Sequence, residues 1–460
     1  MSTIWKPSLK EYQELCFKLP KYQALAELIE RVAKNGELLD SQKLPAQRIL
    51  ADQLNVTHGT VTRAYELLVK RGIAVAKLGA GTFLKAHPVA AFESEESDFA
   101  SSMMPLMGQQ EVLSQQMMAL ANDTERLSRI MSYKLNGLET HQTVYKHWLS
   151  EKGLQIGNQE LIFCQGAQQA IYAVLAALAK TGETVIHEAL CYPGFYQACD
   201  ALNLKTKAIG LNEQGLDLEQ LESVCKQTKI SALYITPNCQ NPTNIRYSQE
   251  TLAGLLALSQ RYNFYIIEDD VNYCLPENWR LPLWHTANDR VFYVGSFSKY
   301  FAGGLRAGYL LAPFLWQQAV LKQIHSQCWS VSMMNFELLA SALTDSEFAR
   351  NQIQLAQEVR ERIALLSNLF EKYQLKARFS GLNVYLQLPN HINMFSLANQ
   401  FKAHRVIVRT ADVFVKEGFG SENALRFTLG GPSSREAFEF GLKRIEQVLT
   451  HLEPDFDVVV

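Results

Sequence analysis

From about Gln110 onward, helical segments alternate with short β-branched runs at residues 184–186, 232–235, 264–267 and 291–294. A chain with this alternation forms an α/β domain around a mainly parallel sheet, because parallel neighbours must be joined by crossover helices. In such sheets, ligands bind beyond the carboxyl ends of the strands. The polar residues near the ends of these runs are therefore the first candidates for a functional site.

The first 85 residues differ from the rest of the chain in charge. They hold 13 Lys and Arg against 8 Asp and Glu, which gives a net charge of +5. The whole chain holds 44 basic and 46 acidic residues, a net charge of −2, so the remainder carries −7. A surface for nucleic acid is therefore expected only in this N-terminal part.

This division predicts three regions along the chain. They are an N-terminal module at 1–85, an acidic linker at 86–109 and a large domain at 110–460. The linker is rich in acidic and small residues and shows no sustained helical or strand period. A surface loop inside one domain is the alternative for this stretch.

The N-terminal module has the pattern of three helices followed by a hairpin. Apolar residues recur at helical spacing in three stretches, Thr57 is a good N-cap for the third, and two β-prone runs flank a glycine turn at 77–81. A third helix of this kind fits the major groove of DNA, where its N-terminal residues reach base edges. The residues expected at the groove are His58, Gly59, Thr60 and Thr62, with charge from Arg48, Arg63, Lys70, Arg71 and Lys77. Other three-helix modules show the same spacing, so the pattern alone leaves DNA binding open.

A specific string decides between these interpretations. KLPAQRILADQLNVTHGTVTRAYELLVKRGIAVAKLGAGTFL resembles the winged helix-turn-helix of GntR-type bacterial repressors, including LP-x-x-R, GTV-x-x-AY and G-x-GTF. The resemblance implies that Arg48, the tip of the third helix and Gly81 approach DNA. The family usually carries arginine where this chain has His58, and a neutral imidazole makes a weaker contact with phosphate or guanine.

Two groups of candidate residues in the large domain adjoin predicted elements: one group precedes a helix, and the other follows a strand. Ala167 and Gln168 follow Gly166 directly before a helix, where free backbone amides attract an anion. Small residues at such a place can also serve packing alone. Asn241 lies in an Asn-Pro turn after the run 232–235, and an ordinary loop corner is the alternative there.

Two further groups of residues carry charge. Asp269 is one of three consecutive acidic residues, which could bind Mg²⁺, act as a general base or form a solvated pair. Lys299 follows the run 291–294 and is accompanied by Ser296, Ser298 and Arg306. A partly desolvated lysine near another cation has a lowered pKa and can attack a carbonyl, while hydroxyls and an arginine suit a phosphate. An exposed loop lysine is the alternative.

Together, these groups suit one ligand with a phosphate, an aldehyde and a ring base, and pyridoxal 5′-phosphate has all three. The chain from about residue 110 to 451 resembles fold type I aminotransferases of class I. With the GntR-type module, the whole chain resembles MocR-type transcriptional regulators. The resemblance implies a multidomain protein: a small α+β winged helix-turn-helix precedes an α/β aminotransferase-like domain. That domain has a large, mainly parallel sheet subdomain at about 155–315 and a smaller α+β subdomain at about 320–460.

The resemblance also implies roles for individual residues. Lys299 is the catalytic Schiff-base lysine, and Asp269 faces the pyridine nitrogen, which a buried anion keeps protonated. Asn241 donates to the phenolic oxygen of the ring, and Tyr192 stacks on the pyridine face. The residues expected at the phosphate are Ala167, Gln168, Ser296, Ser298 and Arg306.

Two more residues are expected at a substrate or effector. Arg426 lies in an apolar run, and the resemblance implies that it grips the α-carboxylate of an amino acid. A structural ion pair is the alternative for this arginine. Tyr133 matches a tyrosine that the family donates from the partner subunit, although it lies one residue closer to Gly137 than usual.

Two other positions depart from the pattern of active aminotransferases. Val271 and Asn272 occupy positions where a tyrosine is usual, and Tyr273 comes one step later. Asn244 replaces the glycine of an NPTG motif. These departures favour cofactor chemistry that stops before efficient turnover.

The leading hypothesis is a regulator in which pyridoxal phosphate controls how a homodimer binds a double-stranded DNA operator. The cofactor acts alone or joined to an amino-acid or amine effector, or vitamin B6 itself is the signal. A working class I aminotransferase with an accessory DNA-binding module is the second hypothesis. A cofactor-free repressor with a vestigial fold is the third.

Several other classes are not expected from the sequence. The 8 cysteines form no C-x-x-C pair and have no nearby zinc-like histidine, so no metal site is expected. The longest strongly apolar helical stretch, 170–179, is too short to cross a bilayer, and the first ten residues lack the apolar core of a signal peptide. A reduced, cytoplasmic protein without a membrane segment is therefore expected.

Overall fold

The structure is a computed structural model, and it describes residues 5, 7–17, 19–34, 42–71, 73–77, 81–84, 96–416 and 422–452. The chain divides into two compact units, Met1–Glu96 and Ser97–Val460. Each unit has its own hydrophobic core.

The first unit is a winged helix-turn-helix. Its elements are α1 (Leu9–Cys16), α2 (Lys21–Lys34), α3 (Gln47–Leu54), α4 (His58–Lys70), β1 (Ala74–Lys77) and β2 (Gly81–Leu84). Thr57 caps α4 as predicted, because its hydroxyl accepts a hydrogen bond from the amide of Thr60 at 3.3 Å. Val75 pairs with Phe83 in the antiparallel hairpin, which confirms the predicted wing. Residues 78–80 of its turn lie outside the described residues.

The second unit is built around a seven-stranded sheet with the strand order β4-β12-β11-β10-β9-β5-β6. Its strands are β4 (Ile162–Cys164), β5 (Thr184–Glu188), β6 (Lys205–Ile209), β9 (Ile230–Ile235), β10 (Tyr265–Asp269), β11 (Val291–Ser296) and β12 (Gly308–Leu311), and a separate hairpin consists of β7 (Leu211–Asn212) and β8 (Gly215–Leu216). The four β-branched runs of the sequence form β5, β9, β10 and β11, which are parallel to one another. Only β12 runs antiparallel to its neighbours in this sheet, so the predicted, mainly parallel α/β architecture is confirmed.

Helices cover this sheet and supply its crossovers. They are α5 (Gln109–Ala121), α6 (Thr124–Ile130), α7 (Glu139–Glu151), α8 (Ala167–Leu178), α9 (Pro193–Ala201), α10 (Leu218–Gln227), α11 (Gln249–Tyr262), α12 (Gln317–Cys328) and α13 (Met333–Leu343). The helix α8 is the most apolar of the crossovers, and Ile171, Val174 and Leu175 are fully buried against the sheet. The carboxyl ends of β5, β9, β10 and β11 therefore converge on one edge of the sheet, which is where the site is found.

A four-stranded antiparallel sheet with its own core completes the second unit. Its strand order is β13-β14-β17-β16. The elements of this part are α14 (Ser346–Lys372), β13 (Lys376–Ser380), β14 (Asn383–Gln387), α15 (Met394–Ala403), β15 (Val406–Ile407), β16 (Arg409–Thr410), β17 (Ala424–Thr428) and α16 (Arg435–Thr450). This is the smaller α+β subdomain that the sequence predicts.

The boundary of the small subdomain differs from the prediction. A start at about 320 is wrong, because Val320 and Ile324 of α12 are fully buried in the core of the large sheet. Within α14, Phe348 still packs in the core of the large sheet, whereas Leu355 packs in the small core. The transition therefore lies inside a single long helix, whose continuous helical pattern gives no sign of it.

The predicted acidic linker at 86–109 is also too long. Residues 85–95 lie outside the described residues, but Ser97 and Asp98 form the strand β3, which pairs in parallel with β15. Phe99 is fully buried against Phe427 and Phe438. The acidic composition of this stretch predicts exposure to solvent. Instead, the buried ring of Phe99 and the pairing of β3 with β15 attach the stretch to the small subdomain. Within the described ranges, no helix has the combination of length and hydropathy needed to cross a bilayer.

Candidate functional site

A cavity of about 160 Å³ lies at the carboxyl ends of the parallel strands. Its walls bring together the nine residues that the sequence predicts around one ligand: Ala167, Gln168, Tyr192, Asn241, Asp269, Ser296, Ser298, Lys299 and Arg306. Five further residues line it that the sequence did not predict there: Ser102, Tyr234, Thr236, Val271 and Asn272. The convergence follows from the topology, because loops after parallel strands meet at one edge.

Lys299 lies immediately beyond β11, in a single turn of π-helix from Ser298 to Ala302. Burial lowers the pKa of its amine to about 8, and the positive charges of Arg426 and Arg306 act in the same direction. A lysine with this pKa is partly neutral near physiological pH, so its lone pair is available to attack a carbonyl.

One end of the cavity is built to hold an anion. Gly166 is the N-cap of α8 with φ of 80°, so the first amides of the helix face the cavity without a side chain in front of them. A Cβ atom at Gly166 would collide with the guanidinium of Arg306, which lies directly over it. Ser296 Oγ donates to Ser298 Oγ at 3.0 Å, and both serines line the cavity. Two hydroxyls, a guanidinium and a helix N-terminus form a complete set of donors for a phosphate.

Asp269 ends β10 and also lines the cavity. Its Oδ2 accepts a hydrogen bond from Tyr234 Oη at 2.5 Å, and Oδ1 accepts one from the amide of Val271 at 3.2 Å. Burial raises the pKa of Asp269 to about 7 despite these two hydrogen bonds. A buried carboxyl of this kind requires a cationic partner to remain ionised, as a protonated ring nitrogen would be.

Two further lining residues, Asn241 and Gln168, have buried polar atoms without a described hydrogen-bond partner. Asn241 precedes Pro242 through a cis peptide bond, and its Oδ1 is buried without a hydrogen-bond partner among the described residues. Gln168 Nε2 donates to the carbonyl of Gly194 at 2.7 Å, while its Oε1 is likewise buried and unpartnered within that part of the chain. Buried polar atoms without partners are rare, and both of these residues line the cavity. The side chains therefore fit a polar ligand.

The loop that carries Asn241 is held by a buried carboxylate that the sequence did not reveal. Glu188 ends β5 and accepts hydrogen bonds from Thr236, Gln240 and Tyr247 at 2.8–2.9 Å. Burial raises the pKa of Glu188, and these four hydrogen bonds oppose the shift. Glu188 thereby fixes the start and middle of the loop and so positions Asn241.

The two sequence departures have distinct structural consequences. Asn272 lines the cavity, and its Nδ2 donates to the carbonyl of Cys239 at 2.9 Å. Tyr273 is buried against Tyr300 with ring centroids 5.2 Å apart, and it does not line the cavity. No phenol from this loop therefore reaches the site. Asn244 adopts a left-handed φ of 59°, a region that asparagine enters more readily than most residues with a side chain, so its loop keeps the turn.

Arg426 lies on β17, beside the cavity but outside its immediate lining. Its side chain is 6% exposed, Nη2 donates to the carbonyl of Ala100 at 2.7 Å, and Nη1 donates to Asn383 Oδ1 at 3.4 Å. Its Nε is buried without a partner among the described residues. Burial lowers the pKa of Arg426 to about 10, with a further contribution from Arg409. Its described hydrogen-bond partners are neutral, while the negative charge of Asp98 partly opposes the lowering of its pKa.

Tyr133 lies away from the cavity. It precedes α7, and its side chain is 73% exposed. The carbonyl of the next residue, Lys134, accepts a hydrogen bond from Ser330 at 2.9 Å, which places this loop beside the exposed ring of Trp329. The structure therefore does not bring Tyr133 into the site of its own chain.

In the first unit, the predicted DNA-contacting residues lie on the tip of α4 and around it. His58, Gly59 and Arg63 are exposed on α4, and Arg48 is exposed on α3. Thr62 donates its hydroxyl to Gln47 Oε1 at 2.8 Å, which ties α4 to α3. Thr60 is half-buried and Gly81 is exposed at the start of β2 with φ of 106°. Lys43, which sequence reasoning missed, lies beside Gly81 with its amine 5.9 Å from the Phe83 ring centroid.

The fold and the two sites define a helix-turn-helix protein whose second unit has the aminotransferase architecture. Residues 95–440 match the family described as aminotransferase class I and II, and residues 21–84 match bacterial regulatory proteins of the gntR family. Since the first match spans most of the chain, the protein belongs to the aminotransferase class I and II family, with a GntR-type helix-turn-helix domain at its N-terminal side. This combination confirms the resemblance to MocR-type regulators.

Individual relatives match either nearly the whole chain or a part of it. The chain is 27% identical over 455 residues to the HTH-type transcriptional regulator YdeF of Bacillus subtilis (strain 168), with 97% of each chain covered. It is 27% identical over 305 residues to 2-aminoadipate transaminase of Thermus thermophilus, covering 64% of this chain and 76% of that one. The crystal structure of LysN, an alpha-aminoadipate aminotransferase from Thermus thermophilus complexed with N-(5′-phosphopyridoxyl)-L-leucine, matches with a TM-score of 0.68 at 23% identity, covering 79% of this chain and 95% of that one. This likeness shows the aminotransferase fold.

Proposed function

We propose that the protein is a transcriptional regulator that holds pyridoxal 5′-phosphate in its second unit and uses it to control operator binding by a homodimer. The observation that carries this proposal is the convergence of Lys299, with its lowered pKa, and a set of phosphate donors on one cavity. The family match and the phosphopyridoxyl compound bound to LysN support the choice of cofactor. Because operator DNA is in the cytoplasm, the protein would act there.

Different residues of the cavity would bind different groups of the cofactor. The helix start at Ala167, with Ser296, Ser298 and Arg306, would hold the phosphate, and the Lys299 amine would hold the aldehyde carbon. Asp269 would keep a proton on the pyridine nitrogen, and Asn241 would supply a hydrogen bond to the phenolic oxygen. When bound, the cofactor supplies an electron sink for bonds around an amine carbon.

The residues of the loop after β10 favour binding of an amine over complete transamination. The loop after β10 places Asn272 at the cavity and keeps the phenol of Tyr273 away from it. No hydroxyl of that loop is then available to tune the protonation of the Lys299 nitrogen. We therefore assign the amine-binding step to sensing, with an amino acid or another amine as the effector and Arg426 as the candidate carboxylate clamp.

The DNA-binding part of the proposal concerns the first unit. Its exposed α4 tip, Arg48 and Arg63 would read one half-site, and the second copy in a dimer would read the other. The exposed side chains of Tyr133 and Trp329 support a dimer contact on the second unit.

The test is borohydride reduction of the full-length protein loaded with pyridoxal phosphate, followed by peptide mass spectrometry. We expect the adduct on Lys299. Lys152 is the internal control, because burial lowers its pKa to about 8 as well, but its amine lies 3.8 Å from the Trp148 ring and outside the cavity. An adduct on Lys152 or elsewhere, or none, would overturn the proposal. A gel shift with candidate amines, run beside visible spectra, tests the regulatory part.

The second candidate is a working aminotransferase, because the groups around Lys299 and Asp269 match those that bind the cofactor in such enzymes. Half-reactions with a panel of amino acids and keto acids, offered first singly and then in pairs that allow repeated turnover, decide between the two. Repeated turnovers at ordinary enzymatic rates would favour the enzyme, whereas stalled half-reactions would favour the sensor.

A further inference from the structure

The side chain of Asn244 joins the two sheets of the second unit. Asn244 is buried in the loop between β9 and α11, and its Nδ2 donates hydrogen bonds to the backbone carbonyls of Arg378 and Asn383 at 2.8 and 2.9 Å. These carbonyls belong to the hairpin of β13 and β14. A loop of the large sheet therefore holds a hairpin of the small sheet, and both hydrogens of the amide are used.

The backbone conformation alone does not require this side chain. Glycine adopts a left-handed φ at least as readily as asparagine does, so it would satisfy the same turn. Asn203 has a similar φ of 53°, is exposed and makes no side-chain hydrogen bond within the described ranges. What the amide of Asn244 adds to its turn is therefore the pair of hydrogen bonds to the hairpin.

The same hairpin also meets the loop after β10. Asn383 Nδ2 donates a long hydrogen bond, 3.5 Å, to Oδ1 of Asn272, which lines the cavity. At the turn of the hairpin, a Cβ atom at Gly381 would collide with the carbonyl of Tyr273, so the two backbones are in direct contact there. The hairpin is thus packed against the loops that follow both β9 and β10.

The position of Arg426 depends on this hairpin. The strand β14 pairs with β17, which places Tyr385 opposite Arg426, and Asn383 Oδ1 accepts a hydrogen bond from Arg426 Nη1 at 3.4 Å. Lys299, by contrast, follows β11 of the large sheet. A ligand held by its nitrogen at Lys299 and by its carboxylate at Arg426 must span the two sheets, so its affinity depends on how precisely they are placed.

We propose that Asn244 is a positioning residue that makes the site selective for α-amino acids over simple amines, because it holds the hairpin, and through it Arg426, at the distance from Lys299 that such a ligand requires. This inference rests on the proposed function and assigns the effector class. Without the two hydrogen bonds, the matching arrangement is populated less often, and the apparent affinity falls by that fraction. An amine without a carboxylate does not need Arg426, so its affinity is independent of the hairpin.

The test is Asn244→Gly in the full-length protein loaded with pyridoxal phosphate, since this change keeps the turn and removes only the amide. The probes are L-alanine and ethylamine, which is the same amine without the carboxylate, and visible titration gives an apparent Kd for each. We expect the ratio of the L-alanine Kd to the ethylamine Kd to rise several-fold as two hydrogen bonds are lost. Asn203→Gly is the matched control and should leave the ratio unchanged.

Asn244→Asp is the second variant, because its carboxylate has the size of the amide but cannot donate to the two carbonyls. The ratio should rise at least as much as in Asn244→Gly. An unchanged ratio in either Asn244 variant, whether both probes bind as before or weaken equally, would overturn the inference, as would an equal rise in Asn203→Gly. If neither probe shifts the visible spectrum of the unchanged protein, the amine-sensing part of the proposed function fails, and this inference fails with it.

Discussion

The phenol of Tyr234 donates a 2.5 Å hydrogen bond to Oδ2 of Asp269, from the strand next to it in the sheet. The ring of Tyr234 is itself fixed by stacking on Phe195, with centroids 4.5 Å apart. Burial raises the pKa of Asp269 to about 7, and the hydrogen bond from Tyr234 is the largest influence that lowers it. Tyr234 therefore keeps this carboxyl ionisable at the pH where a cofactor nitrogen would need it.

We expect Tyr234→Phe to weaken pyridoxal phosphate binding about tenfold, since a charge-assisted hydrogen bond contributes about 1.5–3 kcal/mol. Without the phenol, the pKa of Asp269 rises further, and the carboxyl loses the charge that would pair with a protonated ring nitrogen. Absorbance titration of the apoprotein at about pH 7.5 measures the change.

The matched control for this substitution is Tyr265→Phe. Tyr265 packs its ring on Trp316 with centroids 5.4 Å apart, and its hydroxyl has no hydrogen-bond partner among the described residues. Removing that hydroxyl should leave cofactor affinity unchanged. An equal loss in both variants would mean that a general loss of stability, and not the carboxyl of Asp269, explains the result.

The buried acidic residues around β10 predict a pH dependence of stability. Burial raises the pKa values of Glu268, Asp269 and Asp270 to about 8, 7 and 6. Between about pH 4 and these values, the unfolded chain has ionised while the folded chain still holds its protons. The free energy of unfolding of the apoprotein should therefore fall as pH rises through this window.

Thermal melts of the apoprotein between about pH 5 and pH 8 measure this effect, and Tm should be lower at the higher pH. Asp269→Asn removes one of the three titrating groups, so its Tm should depend less on pH. If the variant and the unchanged protein lose the same number of degrees over this range, Asp269 is not held neutral by burial.

The sequence singles out eight of the nine predicted cavity residues because their positions at strand and helix ends follow from the parallel topology, whereas Tyr192 is expected there only from the resemblance to aminotransferases. Tyr234 could be suspected only once β9 and β10 are known to be neighbours, since an inward tyrosine in a strand is otherwise an ordinary core residue. Ser102 and Ala100 could not be predicted, because the acidic composition before them indicates a solvated linker. Their position depends on the burial of Phe99 and on the pairing of β3 with β15, which is distant in sequence.

A positive charge added at the tip of α4 should strengthen DNA binding. His58→Arg adds a permanent charge at an exposed position that would face the groove, so binding to a mixed-sequence duplex should tighten severalfold at low salt. The slope of log K against log salt concentration should steepen by about 1, because one more phosphate is neutralised. Gln13→Arg adds the same charge at an exposed position on α1 and serves as the control. If both variants change binding equally, net charge explains the effect and the α4 tip is not the contact.

The exposed ring of Trp329 predicts where one chain contacts another in a dimer. Trp329 is 62% exposed with a left-handed φ of 57°, and its neighbour Ser330 is bonded to the carbonyl of Lys134, beside the 73% exposed Tyr133. A large aromatic side chain held in solvent by a strained backbone indicates a contact made by another chain. Trp329→Glu should therefore shift the full-length protein from dimer to monomer in sedimentation velocity.

Phe314→Glu provides the control for that shift, because Phe314 is 83% exposed and equally apolar but belongs to the loop between β12 and α12. It should leave the sedimentation coefficient unchanged. A protein that is already monomeric at micromolar concentration before any substitution would contradict the proposed dimer. Dissociation by both variants would place the contact on a broader apolar surface and would remove Tyr133 as a group donated specifically across the interface.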